Sequence, residues 1–139
     1  MKIAFLVFGV FFLSACAGVP TRNDCPIMPL GTPYVVSFEY GRADLSKSGA
    51  NELNGVARHA AGANAKVCVA AVTRQSGVPQ DQLALSVKRM KAVGEVFYQQ
   101  GVDLKNLYLI STPANESNGL SAPVSARDVT HKVLVYVGF

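Results

Sequence analysis

The most reactive side chains in this sequence of 139 residues are three cysteines and two histidines. Neither His59 nor His131 shares a metal-ligand spacing with a cysteine, so we expect no metal site and no cofactor. The sequence contains no Gly-x-Ser-x-Gly elbow and no phosphate-binding glycine loop, and no histidine pairs closely with a cysteine or a serine. We therefore expect that the protein is not an enzyme.

Cys16 follows a short N-terminal signal. A positively charged start precedes the apolar run Ile3–Leu13, and about eleven residues are too few for the roughly 20 that cross a bilayer as a helix. The stretch Leu13-Ser14-Ala15-Cys16 resembles the lipobox of bacterial lipoproteins, in which the cysteine is acylated, with palmitate for example, and becomes the mature N-terminus. We expect residues 1–15 to be a signal peptide and Cys16 to carry a stable lipid anchor. The alternative is an ordinary signal peptide followed by a chance cysteine.

The residue after the lipidated cysteine predicts which of the two membranes carries the anchor. Ala17 does not supply the aspartate that retains such lipoproteins in the inner membrane. We therefore expect the protein on the periplasmic face of the outer membrane, attached to that membrane through its N-terminal lipid.

Cys25 and Cys68 remain in an oxidising compartment, where a disulfide can persist. Sequence alone does not establish that their backbones come within reach of each other. The two alternatives are a Cys25–Cys68 disulfide, or a buried free thiol at Cys68 with an exposed one at Cys25.

The formal net charge of +4 is small and dispersed along the chain. The densest cluster is Lys88, Arg89 and Lys91, and Lys88 and Lys91 are most simply read as the solvated face of a helix. We expect no nucleic-acid partner, because such proteins usually concentrate their basic residues in one patch.

The chain divides into a tether and one domain. Residues 16–33 contain four prolines and show no periodicity, so we expect the lipidated cysteine to be followed by a proline-rich tether. Residues 34–139 are long enough for a single domain. Alternation predicts a strand over Tyr34–Tyr40, and a continuous apolar run predicts a second over Lys66–Val72.

The remaining pattern completes an α+β domain. Ser46 can cap a first helix that stops at Gly62, and Asp81–Gln100 forms a second helix that ends before Gly101. We expect Leu85, Val93 and Phe97 to pack this second helix on one mixed sheet. Two further strands are predicted over Leu107–Ser111 and Thr130–Val137, giving the order strand, helix, strand, helix, strand, strand.

Two stretches resemble a known family. Val36–Leu45 and the residues that follow look like the opening strand and first helix of the domain shared by outer-membrane protein A, the peptidoglycan-associated lipoprotein and flagellar stator proteins. Leu85-Ser86-Val87-Lys88-Arg89, with Val93, Phe97 and Gly101 behind it, is similar to the second-helix motif of that family. The resemblance covers about residues 34–137 and implies an OmpA-like β-α-β-α-β-β sandwich.

The resemblance also implies a ligand site. In that family an aspartate in a Thr-Asp pair holds the amine of peptidoglycan diaminopimelate, and the arginine of the second helix holds its carboxylate. Here Thr73 is followed by Arg74, which presents donors where an acceptor carboxylate is needed, while the helix arginine is kept as Arg89. Without the resemblance, Arg89 would be read as a solvated or salt-bridged helix residue. The resemblance implies a degenerate peptidoglycan site in this sequence, formed by Thr73, Arg74, Gln82, Leu85, Arg89 and Arg127.

Two functions follow from these observations. The first is a non-enzymatic periplasmic scaffold that docks on envelope protein subunits, as such domains do within envelope-spanning secretion or conjugation complexes. The alternative is a tether that links the outer membrane to the cell wall by binding peptidoglycan. Arg74 favours the scaffold, because binding of the ordinary peptidoglycan ligand should be weakened at that position.

Overall fold

The computed structural model describes residues 19–22, 24–27, 32–73, 78–111 and 131–139. Two helices pack on one mixed five-stranded sheet, which confirms the predicted α+β fold. Among these residues, no helix has the length and apolarity needed to cross a membrane. The elements are β1 (Thr21–Arg22), β2 (Tyr34–Ser37), α1 (Lys47–Gly62), β3 (Lys66–Ala71), α2 (Gln80–Gln99), a 3-10 turn (Leu104–Asn106), β4 (Leu107–Ser111) and β5 (Lys132–Gly138).

The sheet has the strand order β1-β4-β3-β5-β2. Strands β1, β4 and β3 run parallel, and β5 pairs antiparallel with both β3 and β2. Strands β1 to β4 therefore all point in one direction, with α2 forming the crossover between β3 and β4. Their carboxyl ends, together with the amino end of β5, lie at the same edge of the sheet.

The bounds of both helices lie within one residue of the prediction, and the capping differs only at the end of α1. The Ser46 hydroxyl accepts a hydrogen bond from the Gly49 amide at 3.0 Å, which caps α1. Gly62 is the last residue of α1, but the left-handed residue beyond it is Asn64, with φ of 50°. At the end of α2, Gly101 adopts a φ of 100°, and the Val102 amide donates to the Phe97 carbonyl at 3.0 Å.

The core lies on both faces of the sheet, because the residues of the central strand β3 alternate between them. The helix-side core contains Val67 and Val69, whereas Cys68 and Ala70 face the opposite side.

The prediction for α2 is correct for Val93 and Phe97, which have no exposed surface. It is wrong for Leu85, which is only half-buried. The face of α2 that packs inward is instead formed by Leu83, Ser86, Arg89, Met90, Val93, Gly94 and Phe97.

The predicted tether requires correction within residues 19–27, because several of the described residues there pack on the domain. Val19 is 9% exposed and belongs to the helix-side core, and Thr21–Arg22 extends the sheet beside β4. Cys25 forms a disulfide with Cys68, and their Cα atoms are 6.0 Å apart. Of the two alternatives for these cysteines, the structure therefore has the disulfide. The two-residue strand carries no periodicity and was not predicted.

Candidate functional site

The candidate site lies at the edge of the sheet where β2, β3 and β4 end. Thr73 follows β3, and its hydroxyl is hydrogen-bonded to that of Ser111 at the end of β4. Phe38 follows β2, and its amide donates to the His131 carbonyl at 3.0 Å, next to the start of β5. Ligand sites of α/β sheets commonly form where parallel strands end, because several loops converge there.

Arg89 on α2 is the buried centre of this site, with no exposed surface. Its Nε donates to the main-chain carbonyl of Arg42 at 2.7 Å, and its Nη2 donates to that of Glu39 at 3.0 Å. The guanidinium carbon lies 5.5 Å from the centroid of the Phe38 ring. Burial lowers the pKa of Arg89 from its ordinary value, since the charged form loses hydration. Arg89 therefore fastens the loop between β2 and α1 onto the second helix.

The loop held by Arg89 borders an open cleft of about 490 Å³. Arg42 and Asp44 form an exposed ion pair at its rim, with 2.7 Å between Nη2 and Oδ2. Such a surface pair contributes little to stability, but it gives the rim both signs of charge. The described lining residues of the cleft are Ser37, Phe38, Glu39, Arg42, Asp44, Leu45 and Ser46.

His131, immediately before β5, contacts the loop that follows β2. Its ring stacks on that of Tyr40, with centroids 6.1 Å apart. The Nε2 atom of His131 is buried, and no hydrogen-bond partner for it occurs within the described part of the chain. The sequence marks His131 only as a histidine without a metal-ligand spacing to a cysteine, and it does not indicate the contact with Tyr40.

The structure describes some of the predicted site residues and not others. The structure brings Arg89 together with the loop after β2, a contact between residues about 50 positions apart that no motif indicated. Gln82 lies half-buried in the first turn of α2, and Leu85 is half-buried one turn further on. The predictions for Cys16, Arg74 and Arg127 lie outside the described residues. In the part of the chain that the structure describes, no group of three acidic, histidine or cysteine side chains could hold a metal.

Replacing Arg89 with methionine is expected to lower the free energy of unfolding by about 2 to 4 kcal/mol, because two carbonyls would lose charged donors while the apolar stem is kept. Urea unfolding of the secreted Cys16→Ser protein provides the measurement. The matched control is Lys88→Met at the neighbouring exposed position of α2, which should change stability by less than about 0.5 kcal/mol. Equal effects of the two substitutions would contradict a fastening role for Arg89.

Comparison with known proteins gives a family and several structures of the same fold. Residues 37–127 match the OmpA family, and no curated protein matches the chain significantly. The peptidoglycan-associated lipoprotein from Burkholderia pseudomallei shares 16% identity at a TM-score of 0.56, covering 74% of this chain and 88% of its own.

Two further solved structures are similar. The C-terminal domain of Helicobacter pylori MotB shares 16% identity at a TM-score of 0.55, covering 78% of this chain and 84% of its own. The OmpA-like domain of FopA1 from Francisella tularensis shares 21% identity at a TM-score of 0.50, covering 75% and 70%. At these identities the likeness establishes the fold alone.

Proposed function

Because the chain belongs to the OmpA family, we propose that it is an outer-membrane lipoprotein whose domain acts as a periplasmic scaffold. Domains of this family are generally structural rather than enzymatic. Cys16 holds the protein on the periplasmic face of the membrane through its lipid. The domain docks on protein subunits of an envelope complex, such as a secretion or conjugation machine. Peptidoglycan is at most a weak ligand.

The burial of Arg89 carries this proposal. Two nitrogens of its guanidinium are engaged by the loop, so a peptidoglycan carboxylate that took their place would displace the charge-assisted hydrogen bonds to the Arg42 and Glu39 carbonyls. The residue after Thr73 adds to this difficulty, because Arg74 offers positive charge where the family's ligand presents an ammonium group. An arginine committed to main-chain carbonyls supports a docking surface and does not form a ready carboxylate site.

The cleft beside the loop is the surface we assign to docking. It is open and carries an acidic side chain, Asp44, next to the basic Arg42. A rim with both signs of charge favours a protein partner that presents its own polar groups, since electrostatic complementarity selects partners and their register.

The alternative function is a tether that binds peptidoglycan. Its support is the position of the cleft, which adjoins the loop fastened by the family's ligand arginine, and the name of the peptidoglycan-associated lipoprotein that shares the fold. Under this alternative the loop opens on binding, and Arg89 exchanges the two carbonyls for the ligand's carboxylate.

Site-specific photo-crosslinking in cells tests the scaffold. A photoreactive amino acid at Asp44 should yield a discrete protein adduct, because this position lies on the rim of the docking cleft. The matched control is the same substitution at the exposed Arg58 of α1, which should yield much less of that adduct. Equal yields from the two positions, or no protein adduct from Asp44, would count against the scaffold.

A further inference from the structure

The Cys25–Cys68 disulfide joins two cysteines with unequal access to solvent. Cys68 lies in the central strand β3, where it pairs with Tyr108 of β4 and with Tyr136 of β5, and it has no exposed surface. Cys25 is partly buried and lies outside the helices and strands, and the residues on either side of it are exposed. A thiol in solution therefore approaches the disulfide from the side of Cys25.

The exchange chemistry of the pair follows from this difference. A thiolate that attacks the Cys25 sulfur forms a new S–S bond with it, and the bond between Cys25 and Cys68 breaks. The electron pair of that bond leaves on the Cys68 sulfur, which takes up the proton that the attacking thiol lost, because apolar neighbours such as Ala70 and Leu134 disfavour a thiolate. A second thiol of the reagent then attacks the mixed disulfide and releases Cys25, so that two protein thiols form and the reagent becomes a disulfide.

Arg22 holds Cys25 beside its partner through contacts that do not involve either sulfur. Its Nη2 atom donates to the Leu104 carbonyl at 3.0 Å, and its guanidinium carbon lies 4.6 Å from the centroid of the Tyr108 ring. Tyr108 is the residue of β4 that pairs with Cys68. Because Cys25 is only three positions beyond Arg22, these contacts keep the two cysteines close together when the bond between them is open.

We infer that the disulfide is a self-closing redox clasp, which thiols open at Cys25 and which the docked Arg22 closes again by returning Cys25 to Cys68. Holding two thiols near each other raises their effective concentration, and this favours the internal disulfide over a mixed one. The partner that fits this site is a thiol–disulfide oxidoreductase, which presents a dithiol and engages Cys25. Arg22 is a positioning residue. The inference does not depend on the lipid anchor or on the docking cleft.

Exchange with glutathione tests where the disulfide opens. In the oxidised Cys16→Ser protein, Cys25 and Cys68 are the remaining cysteines. This protein is incubated with reduced glutathione, quenched with acid and mapped by mass spectrometry. We expect nearly all of the bound glutathione on Cys25, with a free thiol at Cys68, whereas in concentrated urea both cysteines should carry it to a similar extent.

Three outcomes of this mapping would overturn the inference. Glutathione found equally on both cysteines, or mainly on Cys68, in the folded protein would refute opening at Cys25. A folded protein that forms no adduct, while the protein in urea does, would refute the exchange itself. The same preference for Cys25 in urea would assign the selection to the neighbouring sequence and not to the fold.

Replacing Arg22 with alanine supplies the second arm. At a fixed ratio of reduced to oxidised glutathione, loss of the hydrogen bond and of the ring contact should raise the fraction of opened disulfide about two- to tenfold. The matched control is Arg58→Ala at an exposed position of α1, which should leave this fraction unchanged. Circular dichroism verifies that both variants stay folded, and equal opened fractions in the two variants would refute the role of Arg22 in the clasp.

Discussion

Replacing Phe97 with alanine is expected to lower the free energy of unfolding by about 3 to 5 kcal/mol. Phe97 has no exposed surface and belongs to the helix-side core. Removal of its ring takes apolar area out of the core and leaves a cavity that the neighbouring strands cannot fill without moving. Because small domains are stable by only about 5 to 15 kcal/mol, the variant should lose a large part of its stability.

Urea unfolding of the Cys16→Ser protein measures this loss. The control is Tyr98→Ala, since Tyr98 is the next residue of α2 and carries a ring of similar size that is 44% exposed. Tyr98→Ala should shift the unfolding midpoint far less. Comparable shifts for the two aromatic residues would contradict the packing of α2 described here.

The elements of the fold follow from local patterns. The Ser46 cap, the glycine after α2 and the apolar run of β3 are each recognised within a few residues. Each predicted element is present, but the strand predicted over Tyr34–Tyr40 already ends at Ser37. Strand order does not follow in this way. The position of β5 between β3 and β2 is set by pairing among strands separated by long stretches of chain, which no local period encodes.

The N-terminal stretch of the described chain, from Val19 to Ile27, shows the same limit. Its strand has only two residues, and its disulfide joins cysteines separated by 43 positions. Proline content predicted a free tether, whereas tertiary contacts at Val19, Arg22 and Cys25 attach the chain to the domain at these residues. The misassignment of Leu85 has a related cause: several neighbouring positions of α2 are apolar, and only packing selects those that face the sheet.

The candidate site could be predicted only in part. The resemblance singled out Arg89, which the structure places on α2 against the loop that follows β2. Its partners, the main-chain carbonyls of Glu39 and Arg42, were not predictable, because every residue has a carbonyl and the sequence does not mark which ones face a guanidinium. Arg89 is buried and supports the neighbouring loop through these two hydrogen bonds, and its role towards a ligand stays a prediction.

Peptidoglycan binding should be gained, not lost, by mutation at Arg74. Aspartate at this position supplies an acceptor of opposite charge for the ammonium group of diaminopimelate, whereas the native guanidinium repels it. We expect partial retention of Arg74→Asp on purified sacculi, since Arg89 still donates to the loop carbonyls. Lys88→Asp, which makes the same charge change at an exposed position of α2, is the matched control and should not be retained.

Co-sedimentation of the Cys16→Ser protein with diaminopimelate-containing sacculi is the most direct test of the central claim. The scaffold predicts that the protein with its native Arg74 and Arg89 stays in the supernatant, while Arg74→Asp appears in part in the pellet. Tight sedimentation of the native protein, competed by free diaminopimelate, would contradict the scaffold and establish the cell-wall tether in its place.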